Sequence, residues 1–250
     1  MGNRGFSTFA SIPAVTKNLL VINVIFWLIT LSLNRMYVSD MLGLHYPACE
    51  DFHLYQLVTY MFMHASWAHI FFNMFAVFMF GRIIETEWGP KRFLAYYMIT
   101  GIGAGLVNIL VAYLRIKALE SNMDAVAIDI VYREGLKIMK QNKQFIDPLC
   151  AQLNVMINTS TVGASGSVFG ILLAFGMIFP NMPLYIIPFP FPIKAKYLVI
   201  GYGVIELIAG FFNLKSDNIA HFAHLGGMLF GIIMILAWRK KNRNNDRFFY

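Results

Sequence analysis

The feature that most constrains this chain is its series of long uncharged apolar runs, the first of which extends from Asn18 to Leu33. A membrane span needs about 20 predominantly apolar residues to cross a hydrocarbon core about 30 Å thick. The whole chain is apolar to match: 58% of its residues are hydrophobic and 13% charged, against roughly 45 to 50% apolar in a soluble domain. The run from Asn18 is too long for the apolar core of a cleaved signal peptide and reads as a retained span. Helices are expected near 18–35, 67–86, 92–114, 163–180, 193–213 and 219–237. The expected fold is an all-α membrane protein, a polytopic bundle of six transmembrane helices in one domain with a core of about 18–237.

Orientation follows from the basic residues. Arg239, Lys240, Lys241 and Arg243 follow the last span, and Arg82, Lys91 and Arg92 flank the connection between spans two and three. These regions, the tail 238–250 included, are expected to be cytoplasmic. An even number of spans returns the tail 1–17, with Arg4 and Lys17, to the same side. Segments 36–66, 115–162 and 214–218 then lie outside. This topology and anionic headgroups account for the net charge of +7, so no nucleic-acid partner is needed. A compact core without a long N-terminal extension points to a bacterial inner membrane.

The outer insert 115–162 is long for so economical a chain. From Asp129 to Gln152 it mixes Val131, Leu136, Met139, Phe145 and Leu149 with Arg133, Lys137, Lys140 and Lys143. That approximate amphipathy fits a segment on the membrane surface or a solvated helical hairpin. Cys49 and Cys150 both fall in outer segments, so a disulfide between them is topologically possible.

Three short stretches carry chemistry. In Val162-Gly163-Ala164-Ser165-Gly166-Ser167-Val168-Phe169-Gly170 a serine sits where the fourth span begins. Glycines and a helix N-terminus supply the close backbone and free N–H groups that a nucleophilic serine and an oxyanion require. Taken alone, such a stretch in a membrane helix is more often a small-residue packing face. The second, Ala220-His221-Phe222-Ala223-His224-Leu225-Gly226-Gly227, opens the sixth span. An ionisable residue in a span is a functional candidate, and imidazole titrates where a general base must; a histidine bonded to a carbonyl at the membrane interface is the plain alternative. In the third, His64-Ala65-Ser66-Trp67-Ala68-His69-Ile70-Phe71-Phe72-Asn73, His69 and Asn73 are four apart and share a helix face. Both offer the N–H donors of an oxyanion site, or of a simple interhelical bond.

Helical geometry joins the first two. Gly163, Gly166, Gly170 and Ala174 form a small-residue stripe on span four, and His224, Gly227 and Gly231 follow at i, i+3 and i+7 on span six. Such stripes let membrane helices approach closely. Span four has only about 17 residues before Pro180, roughly 25 Å of helix, so Ser165 should lie below the outer surface. His224, one turn into span six, matches that depth, whereas His221 sits at the mouth. Phe169, on the face of Ser165, is placed to pack beneath the imidazole.

These stretches resemble the rhomboid family of intramembrane serine proteases. The resemblance covers about 18–237 and rests on His-x-x-x-Asn in span two, Gly-x-Ser-Gly in span four and Ala-His-x-x-Gly-x-x-x-Gly in span six, in the family's order. Ala223-His224 satisfies the last motif, whereas Ala220-His221 is followed three places on by His224 instead of glycine. The resemblance implies Ser165 as nucleophile and His224 as general base, a dyad without an acidic third member. It implies His69, Asn73 and the Ser165 amide as the oxyanion site, a membrane-protein substrate with a transmembrane helix, and no cofactor or metal. One departure stands in the first outer loop: Tyr55-Gln56 occupy the place where many members carry Trp-Arg, which bears on the anchoring of that loop and not on the chemistry.

Rival readings fit less well. A histidine-box di-iron site needs more histidines than the 6 present, and the His-Glu-x-x-His zinc motif is absent. A transporter would place polar residues along a path through the midplane, whereas these cluster toward one face. A catalytically silent relative acting as a membrane-protein binding or quality-control factor would typically lack the serine or the histidine.

Overall fold

The structure, a computed structural model, describes residues 12–33, 35–185, 191–211 and 218–244. Arg4, the connection at 214–217 and the end of the basic tail, 245–250, lie outside the described residues. The elements in chain order are α1 (Ala14–Ser32), α2 (Arg35–Leu42), α3 (Gln56–Thr59) with a 3₁₀ turn at Tyr60–Phe62, α4 (Trp67–Ala76), a π turn (Val77–Gly81), and α5 (Arg82–Trp88). There follow α6 (Pro90–Glu120), α7 (Ala125–Lys140), α8 (Pro148–Asn158), α9 (Ser165–Ile178), α10 (Ala195–Phe211) and α11 (Asn218–Asn244). Between α9 and α10 a two-residue ladder pairs β1 (Pro183–Leu184) with β2 (Ile193–Lys194) antiparallel.

The protein is an all-α, multi-pass membrane protein. Helices occupy all six expected places. Among the described residues four are long and apolar enough to cross a membrane: Ala14–Ser32, Trp67–Trp88, Pro90–Glu120 and His221–Lys241. The other two are short: α9 has 14 residues and α10 has 17.

Several boundaries depart from expectation for local reasons. The first helix begins at Ala14 because Glu85, buried on α5, accepts hydrogen bonds from the backbone N–H groups of Val15 and Thr16 at 2.9 and 2.7 Å and from the Thr16 hydroxyl at 2.7 Å. A carboxylate there satisfies donors that every helix start leaves open. Span two begins at Trp67 as expected, where Ser66 caps it by accepting from the His69 N–H at 3.1 Å. Pro90 opens α6 at a position that needs no N–H, and the helix then continues past 114 to Glu120.

The insert is the tail of α6 and a helical hairpin of α7 and α8. The turn breaks the pattern read across 129–152, with Asn142 at φ 57°. Val131 of α7 and Leu153 and Ile157 of α8 are buried against Ile116 of α6, with Cys49 and Cys150 in the same cluster. Both cysteines are free thiols. Lys140 pairs with Asp51 at 2.8 Å, tying the hairpin to the first outer loop.

That loop is anchored by Gln56, whose side chain is fully buried. Its Oε1 accepts from the N–H groups of His45 and His53 at 3.3 and 3.2 Å, and its Nε2 donates to the carbonyls of Asp51 and Met41 at 2.8 and 3.3 Å. Tyr55 donates its hydroxyl to Met41 O at 3.1 Å. The amide supplies donors and acceptors together, so Tyr55-Gln56 holds the loop without an arginine.

In the bundle, α9 and α11 both pack along α6, and α10 stands against α11. Tyr60 donates to Gly101 O at 2.6 Å, Tyr96 to Gly170 O at 2.8 Å and Ser167 to Tyr97 O at 2.8 Å. The first ties the 3₁₀ turn to α6, and the other two lock α9 to the middle of α6.

Candidate active site

Ser165 is the first residue of α9, and His224 stands in the second turn of α11. Their side chains meet: Ser165 Oγ lies 2.8 Å from His224 Nε2. Two contacts fix this meeting. A Cβ on Gly227 would collide with the carbonyl of Gly166, so only glycine lets α11 approach the start of α9 this closely. Phe169 lies flat on the His224 ring, with centroids 4.3 Å apart and planes 6° from parallel.

The glycine stripe of span four is shared differently from the expectation. Gly166 and Gly170 turn their open faces chiefly to Ala104 and Thr100 of α6, while the Gly166 backbone receives Gly227 of span six. Gly231 makes room for the Tyr96 hydroxyl and Leu173. The helix α9 is therefore wedged between two partners, and its small residues serve both. Depth follows from the same packing. Gly166 is level with Ala104, and α6 runs 16 residues further to Glu120, roughly 24 Å at the helical rise. Ser165 is thus sunk below the end of the bundle at which α6 finishes.

Gly163 holds φ +142°, a region that side chains rarely adopt. The His69 ring covers it: a Cβ there would lie 2.9 Å from His69 Nε2 and 3.5 Å from Ser165 Oγ. The Ala65 N–H donates to His69 Nδ1 at 3.2 Å. An accepting Nδ1 leaves the proton of the neutral ring on Nε2, so His69 presents a donor toward the serine. Asn73, one turn further along α4, is buried, and its Nδ2 has no hydrogen-bond partner among the described residues.

A cavity of about 610 Å³ opens on these groups. Ser165, His224, His69 and Gly163 line one side; His45, Asn108 and Thr161, with Val155 and Met156 of α8, line the other. The insert therefore contributes a wall of the cavity. Asn73 is not among the lining residues.

One group was missed by sequence reasoning. Glu206 of α10, its side chain only 12% exposed, brings Oε2 to 2.6 Å from His221 Nδ1 and 3.0 Å from His224 Nδ1. The signal was present, since Glu206 is the sole acidic residue in α10 and an acid in a membrane helix is a functional candidate by default. His221, expected at the mouth, is half-buried and bonded to this carboxylate. Glu206, His221 and His224 each offer one ligand atom within 4.8 Å of the others. The 2.6 Å approach is nevertheless that of a shared proton, shorter than the roughly 3.3 Å between ligands set tetrahedrally about zinc at 2.0 to 2.1 Å.

At the opposite end of the bundle the basic residues gather. Arg92 stacks over Trp238 at 4.8 Å and Arg239 donates to Met177 O at 3.4 Å, which puts the start of α6 and the ends of α9 and α11 together.

The class defined so far is a multi-pass membrane protein with a serine–histidine pair sunk at one end. The family model of the Rhomboid domain matches residues 51–241; the chain belongs to the rhomboid family. It is similar to "Rhomboid-like protein 11, chloroplastic" of Arabidopsis thaliana, 26% identical over 85% of this chain and 64% of that protein. "Rhomboid protease AarA" of Providencia stuartii is 29% identical over 71% of this chain and 53% of its own length. "Rhomboid protein 1, mitochondrial" of Saccharomyces cerevisiae is 24% identical over 69% and 38%. The chain spans between about a third and two thirds of the length of these relatives. Chloroplast and mitochondrial relatives do not single out the bacterial inner membrane expected from the sequence.

Proposed function

We propose that this chain is an intramembrane serine endopeptidase that cleaves transmembrane segments of membrane proteins near the outer face of the bilayer. The observation that carries the reading is the 2.8 Å contact between Ser165 Oγ and His224 Nε2, within reach of a base and its nucleophile, on a cavity large enough for a peptide side chain. The relative named a protease supports it. The basic residues at the far end support cytoplasmic termini.

The substrate helix enters laterally and unwinds near its outer end, because a helical peptide bond is shielded by its own hydrogen bonds. Ser165 Oγ attacks the carbonyl carbon while its proton passes to His224 Nε2. The developing oxyanion is met by the Ser165 amide, free at the start of α9, by His69 Nε2–H, and by Asn73, whose unpartnered amide is a donor in waiting. His224 then gives its proton to the leaving amine. Water enters by the same route, loses a proton to Nε2 and releases the acyl group. The fold needs no metal or cofactor for these steps.

Labelling of the detergent-purified protein with a fluorescent fluorophosphonate tests the reading. Labelling lost in Ser165→Ala and His224→Ala but kept in His221→Ala is the expected result. A folded, monodisperse wild type that takes no label points instead to a silent relative that binds membrane proteins.

A further inference from the structure

We propose that Glu206 is a positioning residue for His224, converting the serine–histidine pair into a Ser165–His224–Glu206 relay; the inference rests on the protease reading above. Three observations converge. His224 Nε2 faces Ser165 Oγ at 2.8 Å, so a neutral ring that is to act as base must carry its proton on Nδ1. That Nδ1 is buried, and among the described residues no hydrogen bond satisfies it; the acidic oxygen beside it is Glu206 Oε2 at 3.0 Å, off the line of the ring N–H. The carboxylate in turn is held from behind by His221 Nδ1 at 2.6 Å, so it is aimed rather than loose.

The chemistry follows. A carboxylate at Nδ1 favours the tautomer whose Nε2 lone pair meets the serine, and it faces the positive charge that appears on the ring when Nε2 takes the serine proton. The proton travels from Ser165 Oγ to Nε2 and on to the leaving amine; Nδ1 keeps its own, and Glu206 remains ionised throughout. A small turn of the imidazole brings the N–H onto Oε2, the tightening expected when a resting site engages its substrate. His221 is a second positioning residue, acting through Glu206.

The test uses the purified full chain in detergent with two readouts. The first is fluorophosphonate inactivation, resolved into the limiting rate and the concentration giving half of it. In Glu206→Gln the limiting rate is expected to fall at least tenfold, toward the about 10⁴-fold of a triad acid amidated elsewhere, with the half-saturating concentration within about twofold. Glu206→Asp is expected to lose less than Glu206→Gln. The second is ¹⁵N NMR of His224 in Ser165→Ala, which needs no activity: Nδ1 is expected to be the protonated nitrogen. A protonated Nε2 there overturns the proposal even if every Glu206 variant fails to fold. A limiting rate in Glu206→Gln within twofold of wild type overturns it too while leaving the protease reading intact. Absence of labelling in the wild type sinks the protease reading, and the tautomer then decides the Glu206 contact alone.

Discussion

The ring of Phe169 lies parallel under the imidazole of His224, 4.3 Å away, so the base rests on a side chain presented by the same helix turn that carries the serine. Replacing Phe169 by Leu removes the aromatic face and leaves the imidazole free to tilt. Aromatic pairs are worth about 0.5 to 1.5 kcal/mol beyond area. The expected outcome is a fluorophosphonate labelling rate reduced about two- to tenfold at unchanged melting behaviour. A rate equal to wild type would show that packing by α10 alone orients the ring.

Ser165→Ala and His224→Ala should each abolish cleavage of a transmembrane-segment substrate while the protein stays folded and monodisperse by size exclusion. His221→Ala should keep measurable activity, since His221 touches Glu206 and not the serine. Undiminished proteolysis by purified Ser165→Ala would remove Ser165 from the mechanism.

Asn73→Ala removes a buried donor that nothing else in the resting protein uses. A loss of at most about a hundredfold to thousandfold in turnover is expected, without loss of stability, because no protein acceptor is left unpaired. An unchanged turnover would assign the oxyanion to His69 and the Ser165 amide alone.

Gly227→Ala introduces a methyl into the carbonyl of Gly166, a backbone atom that cannot swing away. Overpacking typically costs roughly 1 to 3 kcal/mol. Thermal melting in detergent should fall, and labelling should fall further than melting alone explains, because separating α11 from α9 lengthens the Ser165–His224 contact. Equal melting and labelling would mean that α11 slides without strain.

His64, in the loop just before α4, is buried with neither ring nitrogen bonded among the described residues. Burial, aided by neighbouring His69, pushes its pKa from 6.5 down to about 3. The native protein therefore holds it neutral, whereas the unfolded chain takes up a proton below about pH 6.5. Stability is full above that pH and is lost as pH falls from about 6.5 toward 3. Melting followed by tryptophan fluorescence should show this slope, and His64→Phe should flatten it; His45, its pKa also lowered by burial, contributes in the same direction. A slope unchanged in His64→Phe would assign the acid sensitivity to other groups.

The sequence by itself determined the helices, because a span must hide its backbone in continuous apolar helix and so writes its position as a run of side chains. It also singled out Ser165, His224, His69, Asn73 and Phe169 as candidates, because those residues sit at helix starts or share a helix face with them, and helical spacing is legible along one segment. Only the tertiary structure decided what one segment cannot encode. Glu85 starts α1 from some seventy residues away, Gln56 anchors the loop by reaching four backbone groups at once, and Gly166 packs against α6 as well as α11. Glu206 reaches the base from α10, a helix bearing none of the three motifs. Each of these depends on the relative rotation of two helices about their axes, which is set by packing across the bundle and leaves no periodic trace in either sequence.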